Sequence, residues 1–251
     1  MSMYPSRGQH GRIVRELGIR ILSGDLPPGT ILDLEGLSRQ YGASRTVMRE
    51  AIKVLAGKGL VDSVRRRGTF VQAQSQWYRL DPDVLRWQFE ATADAALFRQ
   101  LSEVRLMIEP TAAALAAENR TEDDLDALGD ALALMAQHQP GSDATKFIEA
   151  DIAFHVTLLK ATHNDLAASL SVVIEIGLAT RDDLIHSRDT PTKESLRAHR
   201  RILDSVAARE PREAERRMRV LLASAASDLS AAFEGQQPRA VLSTDLDHKS
   251  P

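Results

Sequence analysis

Apolar residues recur with a helical period along most of the chain. Ile13, Leu17 and Ile21 stand four apart and predict a helix over 11–23. Gly24 and Pro27-Pro28-Gly29 end it in a turn. A short helix is expected over 34–41, and Gly42 then supplies a tight turn. Ser44 stands where an N-cap belongs for a helix over 45–57, which Gly59 ends. Residues 60–64 and 69–72 form two short extended runs around a basic tip, Arg65-Arg66-Arg67-Gly68, and predict a hairpin. Helix, helix-turn-helix and hairpin in that order make a winged helix over residues 1–72. Residues 73–80 are polar and aperiodic, as in a linker. From 81 to 234 the period is helical again, with helices predicted near 82–90, 94–117, 121–138, 143–162, 165–187, 193–208 and 211–233. Breaks fall at Thr121, Pro140-Gly141, Asn164 and Pro191. Residues 235–251 carry a polar mixture expected of a disordered tail. The expected fold is therefore mainly α: a winged helix-turn-helix, then an antiparallel bundle of six or seven helices.

The helix over 45–57 has two distinct faces. Arg45, Thr46, Arg49 and Lys53 fall within about 100° of one another on a helical wheel, while Val47, Met48, Ala51, Ile52, Val54 and Leu55 fill the opposite arc. A recognition helix needs an apolar back to dock on its domain and cationic donors to reach guanine edges and phosphates. The plainer reading is an amphipathic helix whose Arg and Lys are simply solvated. The preceding turn and the arginine-rich hairpin tip favour DNA.

Composition narrows the picture. The chain has 251 residues, enough for two modest domains, and 4% aromatic content, which favours helices packed through aliphatic side chains. It has no cysteine, so disulfides and thiol chemistry are excluded. No apolar run is long enough to span a bilayer, and the N-terminus lacks a signal-peptide core, so the expected location is cytoplasmic, with no membrane partner. The net charge of −3 divides into +6 over residues 1–72 and −9 over the remainder. A basic end on an acidic body fits one end meeting a polyanion.

The helical body places polar groups where apolar ones are expected. Asp151 and His155 are four apart, in the middle of a stripe containing Phe147, Ile148, Ile152, Leu158 and Leu159. His199 is flanked by Leu196, Ile202, Leu203 and Val206. Burying an unpaired carboxylate costs on the order of several kcal/mol. Two solutions stand open: a buried Asp–His hydrogen bond with His199 a separate core residue, or a divalent transition metal bound by all three. Arg105 also lies on an apolar stripe, and Glu109 one turn on is the simplest partner for it.

These segments resemble a known family. The runs Pro28-Gly29-Thr30, Ser44-Arg45-Thr46-Val47-Met48-Arg49-Glu50-Ala51, Gly59-Leu60-Val61 and Arg67-Gly68-Thr69-Phe70-Val71 resemble the GntR family of bacterial regulators. The resemblance implies that Ser44, Arg45, Thr46 and Arg49 contact DNA, with Lys53 beside them and the wing tip Arg65, Arg66, Arg67 and Gly68 in the minor groove. Arg66 stands where a Gly is common. At Leu34-Glu35-Gly36 members often have a basic residue, and no contact is carried over there. Arg105 and Glu109, then Asp151-Ile-Ala-Phe154-His155, Asn164 and His199-Arg-Arg-Ile202-Leu203 resemble the effector-binding (FCD) domain of the FadR-type branch. That resemblance implies a metal (Zn, Ni or Mn) on Asp151, His155 and His199, with Leu221 where a fourth ligand, a His, is common. It also implies Arg105 in the effector cavity, with Arg217 a weaker candidate. The run Leu80-Asp81-Pro82-Asp83-Val84-Leu85-Arg86-Trp87 resembles the opening of this domain in regulators of sugar-acid catabolism. His10, His138, His163, His186 and His248 are expected to have no role.

The function expected is a homodimeric repressor that binds a palindromic operator in double-stranded DNA and is released by a small carboxylate. The alternative is a metal-dependent enzyme with an appended DNA-binding domain, against which no general base or oxyanion partner is apparent.

Overall fold

The computed structural model describes residues 8–92, 94–138, 144–185 and 193–234. The predicted breaks at Pro140-Gly141 and Pro191, the tail over 235–251, His186 and His248 lie outside the described residues.

The N-terminal part, here called the head, contains α1 (Gly8–Leu22), α2 (Leu34–Gln40), α3 (Arg45–Gly57), β1 (Val61–Val64) and β2 (Gly68–Val71). Local chemistry explains the boundaries. The Asp33 carboxylate caps α2 by accepting from the Glu35 amide, and the Ser44 hydroxyl caps α3 by accepting from the Val47 amide. The two strands pair antiparallel in the register Val61 with Val71 and Val64 with Gly68. Residues 29–32 add backbone bonds to β2, Leu32 N to Thr69 O and Val71 N to Thr30 O, which stiffen the base of the hairpin. Ile13, Val14, Leu17, Met48, Ala51 and Leu55 are fully buried between α1 and α3. At the hairpin tip Arg66 has φ 72°, a left-handed conformation that a residue with a Cβ adopts at a cost of about 1 kcal/mol. The guanidinium of Arg67 lies 3.6 Å over the ring of Phe70.

The residues between head and body are well ordered by their contacts. Gln74–Gln76 form a 3₁₀ turn, Trp77 is buried and donates through its indole to the Gln72 carbonyl, and the Tyr78 amide donates to the Lys58 carbonyl. Gly59 has φ 74°, and a Cβ there would lie 2.2 Å from the Gln76 carbonyl oxygen, so only glycine fits this crossing. α4 (Pro82–Thr92) then runs back along α1. Its Val84 and Trp87 complete the head's core; a Cβ on Gly18 would strike the Trp87 ring at 2.4 Å. Its Leu85 and Phe89 instead join Phe98, Leu101, Val173 and Ile176 of the body. One helix therefore belongs to two cores.

The body consists of α5 (Ala95–Asn119), α6 (Glu122–Gln137), α7 (Ala144–Lys160), α8 (Asp165–Ser169), α9 (Ser171–Ile185), α10 (Lys193–Ala207) and α11 (Pro211–Glu234). Thr121 and Asp124 form a capping box at the start of α6. Pro110 sits inside α5 without ending it, and lacks only the N–H that would bond the carbonyl of Leu106 one turn back. The single helix expected over 165–187 is two. Leu170 is a turn residue whose amide bonds the Ala167 carbonyl, and Ser169 returns its hydroxyl to the Asp165 carbonyl. Serines on both sides of Leu170 offer the backbone these alternatives to a continuous ladder. The main core packs α5, α6, α7, α10 and α11 through Ala113, Ala116, Leu128, Leu132, Phe154, Leu158 and Met218.

Candidate DNA interface and candidate metal centre

Every residue expected to meet DNA is exposed. Ser44, Arg45, Thr46, Arg49 and Lys53 lie along α3, and Arg65, Arg66, Arg67 and Gly68 at the tip of the hairpin. Between helix and hairpin runs a groove of about 530 Å³ whose walls include Arg45, Arg49, Lys53 and Arg65. The division of labour on α3 matches its wheel: Met48, Ala51, Ile52 and Leu55 are buried, and the cationic residues face out. Several of these side chains already have partners. Ser44 uses its hydroxyl to cap α3, Lys53 pairs with Glu50 at 2.7 Å, and Arg45 pairs with Glu35 of α2 at 2.7 Å.

The second candidate site is buried in the body. Asp151 and His155 come from α7 and His199 from α10, and among the described residues these are the group whose donor atoms converge as metal ligands would. His199 Nε2 is 2.9 Å from Asp151 Oδ1 and 3.3 Å from His155 Nε2; His155 Nε2 is 3.6 Å from Asp151 Oδ1. Ligands about 2.0–2.2 Å from one ion stand roughly 2.9–3.5 Å apart, depending on whether the angle is octahedral or tetrahedral. The triangle has that size. Both rings are only about 2% exposed.

The far side of each ring decides what its Nε2 can do. His199 Nδ1 lies 2.8 Å from the Ser195 carbonyl, so it carries the proton there. His155 Nδ1 lies 2.5 Å from Glu109 Oε2, an electrostatic contact rather than a well-aligned hydrogen bond. Both imidazoles thus turn Nε2 toward Asp151 and toward each other. Such an arrangement offers a divalent ion three ligand atoms at one point. Second partners of this kind are what orient histidine ligands.

Arg105 and Glu109, one turn apart on α5, complete the cluster. Arg105 Nε donates to Glu109 Oε1 at 2.5 Å, and Arg105 Nη2 lies 3.4 Å from His155 Nε2. Burial pushes the Glu109 carboxyl up, but the Arg105 charge and the His155 ring outweigh it and hold the group at about 2. Asp151 is likewise held below its ordinary range: burial opposes ionisation, while the hydrogen bond and charge of His199, then His155 and Arg105, favour it. The spacing of Arg105 and Glu109 makes their pairing legible in sequence; the contact of Glu109 with a histidine on α7 is not.

Arg105 also lines a cavity with Phe98, Leu101, Ser102, Leu178 and Leu222, whose volume of about 20 Å³ is room for roughly one water. Arg217 is placed elsewhere, donating to Glu213 and to the Arg201 carbonyl and so fastening α11 to α10. Leu221 is buried among the apolar residues of the main core. Asn164 caps α8.

Comparison with known proteins agrees with this architecture. Residues 9–71 match the model of the gntR family of bacterial regulatory proteins, and residues 100–224 match the FCD domain. The galactonate operon transcriptional repressor of Escherichia coli is 34% identical over 85% of this chain and 93% of its own length. The HTH-type transcriptional regulator LutR of Bacillus subtilis is 33% identical over 85% and 98%. Among solved structures, the Lar protein of Listeria monocytogenes superposes with a TM-score of 0.62 at 18% identity, over 92% of this chain and 99% of its own. The relatives matched are transcriptional regulators, not enzymes. No described helix is long and apolar enough to cross a membrane.

Proposed function

The chain belongs to the GntR family of DNA-binding transcriptional regulators, with an FCD domain behind its winged helix, and on that premise we propose that it is a homodimeric repressor released by a small hydroxy-carboxylate. Asp151, His155 and His199 hold a divalent transition metal, and the metal and Arg105 together receive the effector. The observation that carries this reading is the triangle of ligand atoms, with both Nε2 atoms and Asp151 Oδ1 turned inward. Three protein ligands leave coordination positions open, and a bound ion would supply an electrophilic anchor for a carboxylate and its neighbouring hydroxyl. Arg105 is already paired with Glu109, so an effector carboxylate competes with an internal partner for that guanidinium. The small cavity beside Arg105 further requires the walls formed by α9 and α11 to part when a sugar acid enters.

Release of DNA follows from the chain's own connections. α4 shares a core with the head and another with α5 and α9, so a shift in the body's wall displaces the head as a unit. An effector achieves this only by binding one arrangement better than the other. A two-fold dimer would place two α3 helices on successive major grooves, which makes the operator a palindrome in cytoplasmic DNA.

One contact favours a second reading without metal. Arg105 Nη2 can donate to His155 Nε2, and His199 Nε2 lies within hydrogen-bond distance of Asp151 Oδ1, so the cluster can close on its own side chains. Elemental analysis after repletion with Zn²⁺, Ni²⁺ or Mn²⁺ separates the two. About one ion per chain, lost in His155→Ala and His199→Ala, supports the metal; no retained ion leaves the metal-free reading. The effector is then sought with aldonates first, because the Escherichia coli relative is named for a galactonate operon. DNA selected from random duplexes should be released by an acid of this class, and a protein that prefers no sequence in any state is not a repressor.

A further inference from the structure

Among the cations that line the groove between α3 and the hairpin stands one carboxylate. Glu35 shares that wall with Arg45, Arg49, Lys53 and Arg65, and its Oε1 lies 2.7 Å from Arg45 Nη2. We propose that Glu35 is a specificity-determining residue: it orients the Arg45 guanidinium toward a base edge and keeps it off the phosphates. The proposal rests on Arg45 meeting DNA, as the proposed interface has it.

Both partners are fixed at their roots. Asp33 caps α2 through the Glu35 amide, and Ser44 caps α3 immediately before Arg45, so each partner sits in the first turn of a capped helix. In water the pair is mostly exposed, 80% and 62% by side chain, and such a pair contributes little to folding. Its importance comes when a duplex covers the groove. Water leaves, the local dielectric falls, and the carboxylate's attraction for Arg45 and repulsion of phosphate both strengthen. A guanidinium has five N–H donors; with one N–H of Nη2 held by Glu35, its second N–H and a neighbouring nitrogen can still meet guanine O6 and N7 as a pair. A phosphate contact would carry no sequence information, and the carboxylate disfavours it. The result is weaker attraction to DNA at large and a sharper choice at one base pair.

The experiment uses the full chain and an operator obtained by selection from random duplexes. Affinities for the operator, for random duplex and for each single-base variant are compared in Glu35→Gln, Arg45→Ala and the double variant. Glu35→Gln is expected to tighten random-duplex binding by about three- to tenfold and to erode the preference at one base pair. Arg45→Ala should lose the preference at that same base pair, with the double variant no different there. The melting temperature should stay unchanged, since the pair is exposed. If Arg45→Ala loses a base preference that Glu35→Gln keeps, the role of Glu35 is overturned while Arg45 stands. If Arg45→Ala changes no base preference, both the premise and the proposal fall. An equal gain for operator and random DNA overturns the proposal as well, because it reduces Glu35 to a distant charge.

Discussion

The head and the body each bury a cluster of charges, and the two clusters differ in one respect. In the head, the Lys58 ammonium at the end of α3 donates to both oxygens of Asp81, at 2.8 and 3.0 Å, and to Asp83 at 2.7 Å. An ammonium has three donors, so the set is complete, and Trp87 covers it from 5.6 Å. In the body, Arg105 and Glu109 are paired, but His155, His199 and Asp151 converge with atoms able to ligate an ion. A closed set of charges is a strut that ties α3 to α4. An open set is a place for something else to bind. The contrast separates structural burial of charge from functional burial, which composition alone does not do.

The largest expected effect tests the closed half of the body's cluster. Glu109→Ala would strand a buried guanidinium, with an expected loss of about 3–5 kcal/mol of stability in denaturant unfolding. A loss below about 1 kcal/mol would mean that the pair is not needed to bury Arg105, and the comparison would fail there.

Next is the strut. Lys58→Met would leave two acids facing an apolar side chain, at a cost of about 2–3 kcal/mol; the loss is smaller because Asp81 keeps a quarter of its side chain in water. Burial works against the Lys58 charge, but Asp81 and Asp83 outweigh it and raise the group above its ordinary value. Its contribution is therefore fully present below the unfolded value of about 10.4 and lost as pH rises through the higher folded value. Thermal melts should show a constant gap between wild type and Lys58→Met from about pH 6 to 9, narrowing above about pH 11. Metal retention should be unaffected. A variant that folds yet loses its bound ion would show that the strut and the site are one system.

The smallest effect has opposite signs in the two readouts. Arg66→Gly should relieve the left-handed strain and stabilise the protein by about 0.5–1 kcal/mol. It should also weaken DNA binding and lower the salt slope by about one phosphate contact. Unchanged binding would mark Arg66 as strained without purpose.

How much of this was legible in the sequence depends on how local each signal is. The faces of α3 follow from a period of 3.6 and a run of eleven residues, so Arg45, Arg49 and Met48 fell where the wheel put them. Asp151 and His155 are one turn apart, and their shared face was equally plain. That His199 comes to meet them, or that Glu109 reaches His155, depends on how α5, α7 and α10 pack, and no spacing along the chain encodes that. The stretch 73–80 reads as polar because Gln, Ser and Arg surround Trp77, yet that one indole is buried and decides how the segment lies. The turn at Leu170 escaped because its flanking serines break the backbone ladder without disturbing the apolar period.

The sharing of α4 bears on how this protein can be recombined. A graft that moves the head onto a different sensor is expected to need residues through Thr92, since a splice at Gln72 leaves Gly18 facing a hole the size of an indole. The graft would then carry Leu85 and Phe89 as exposed apolar side chains, and its new host must offer a surface to cover them. Chimeras cut at either point, compared by melting temperature and solubility, would show which fragment evolution treats as the exchangeable part.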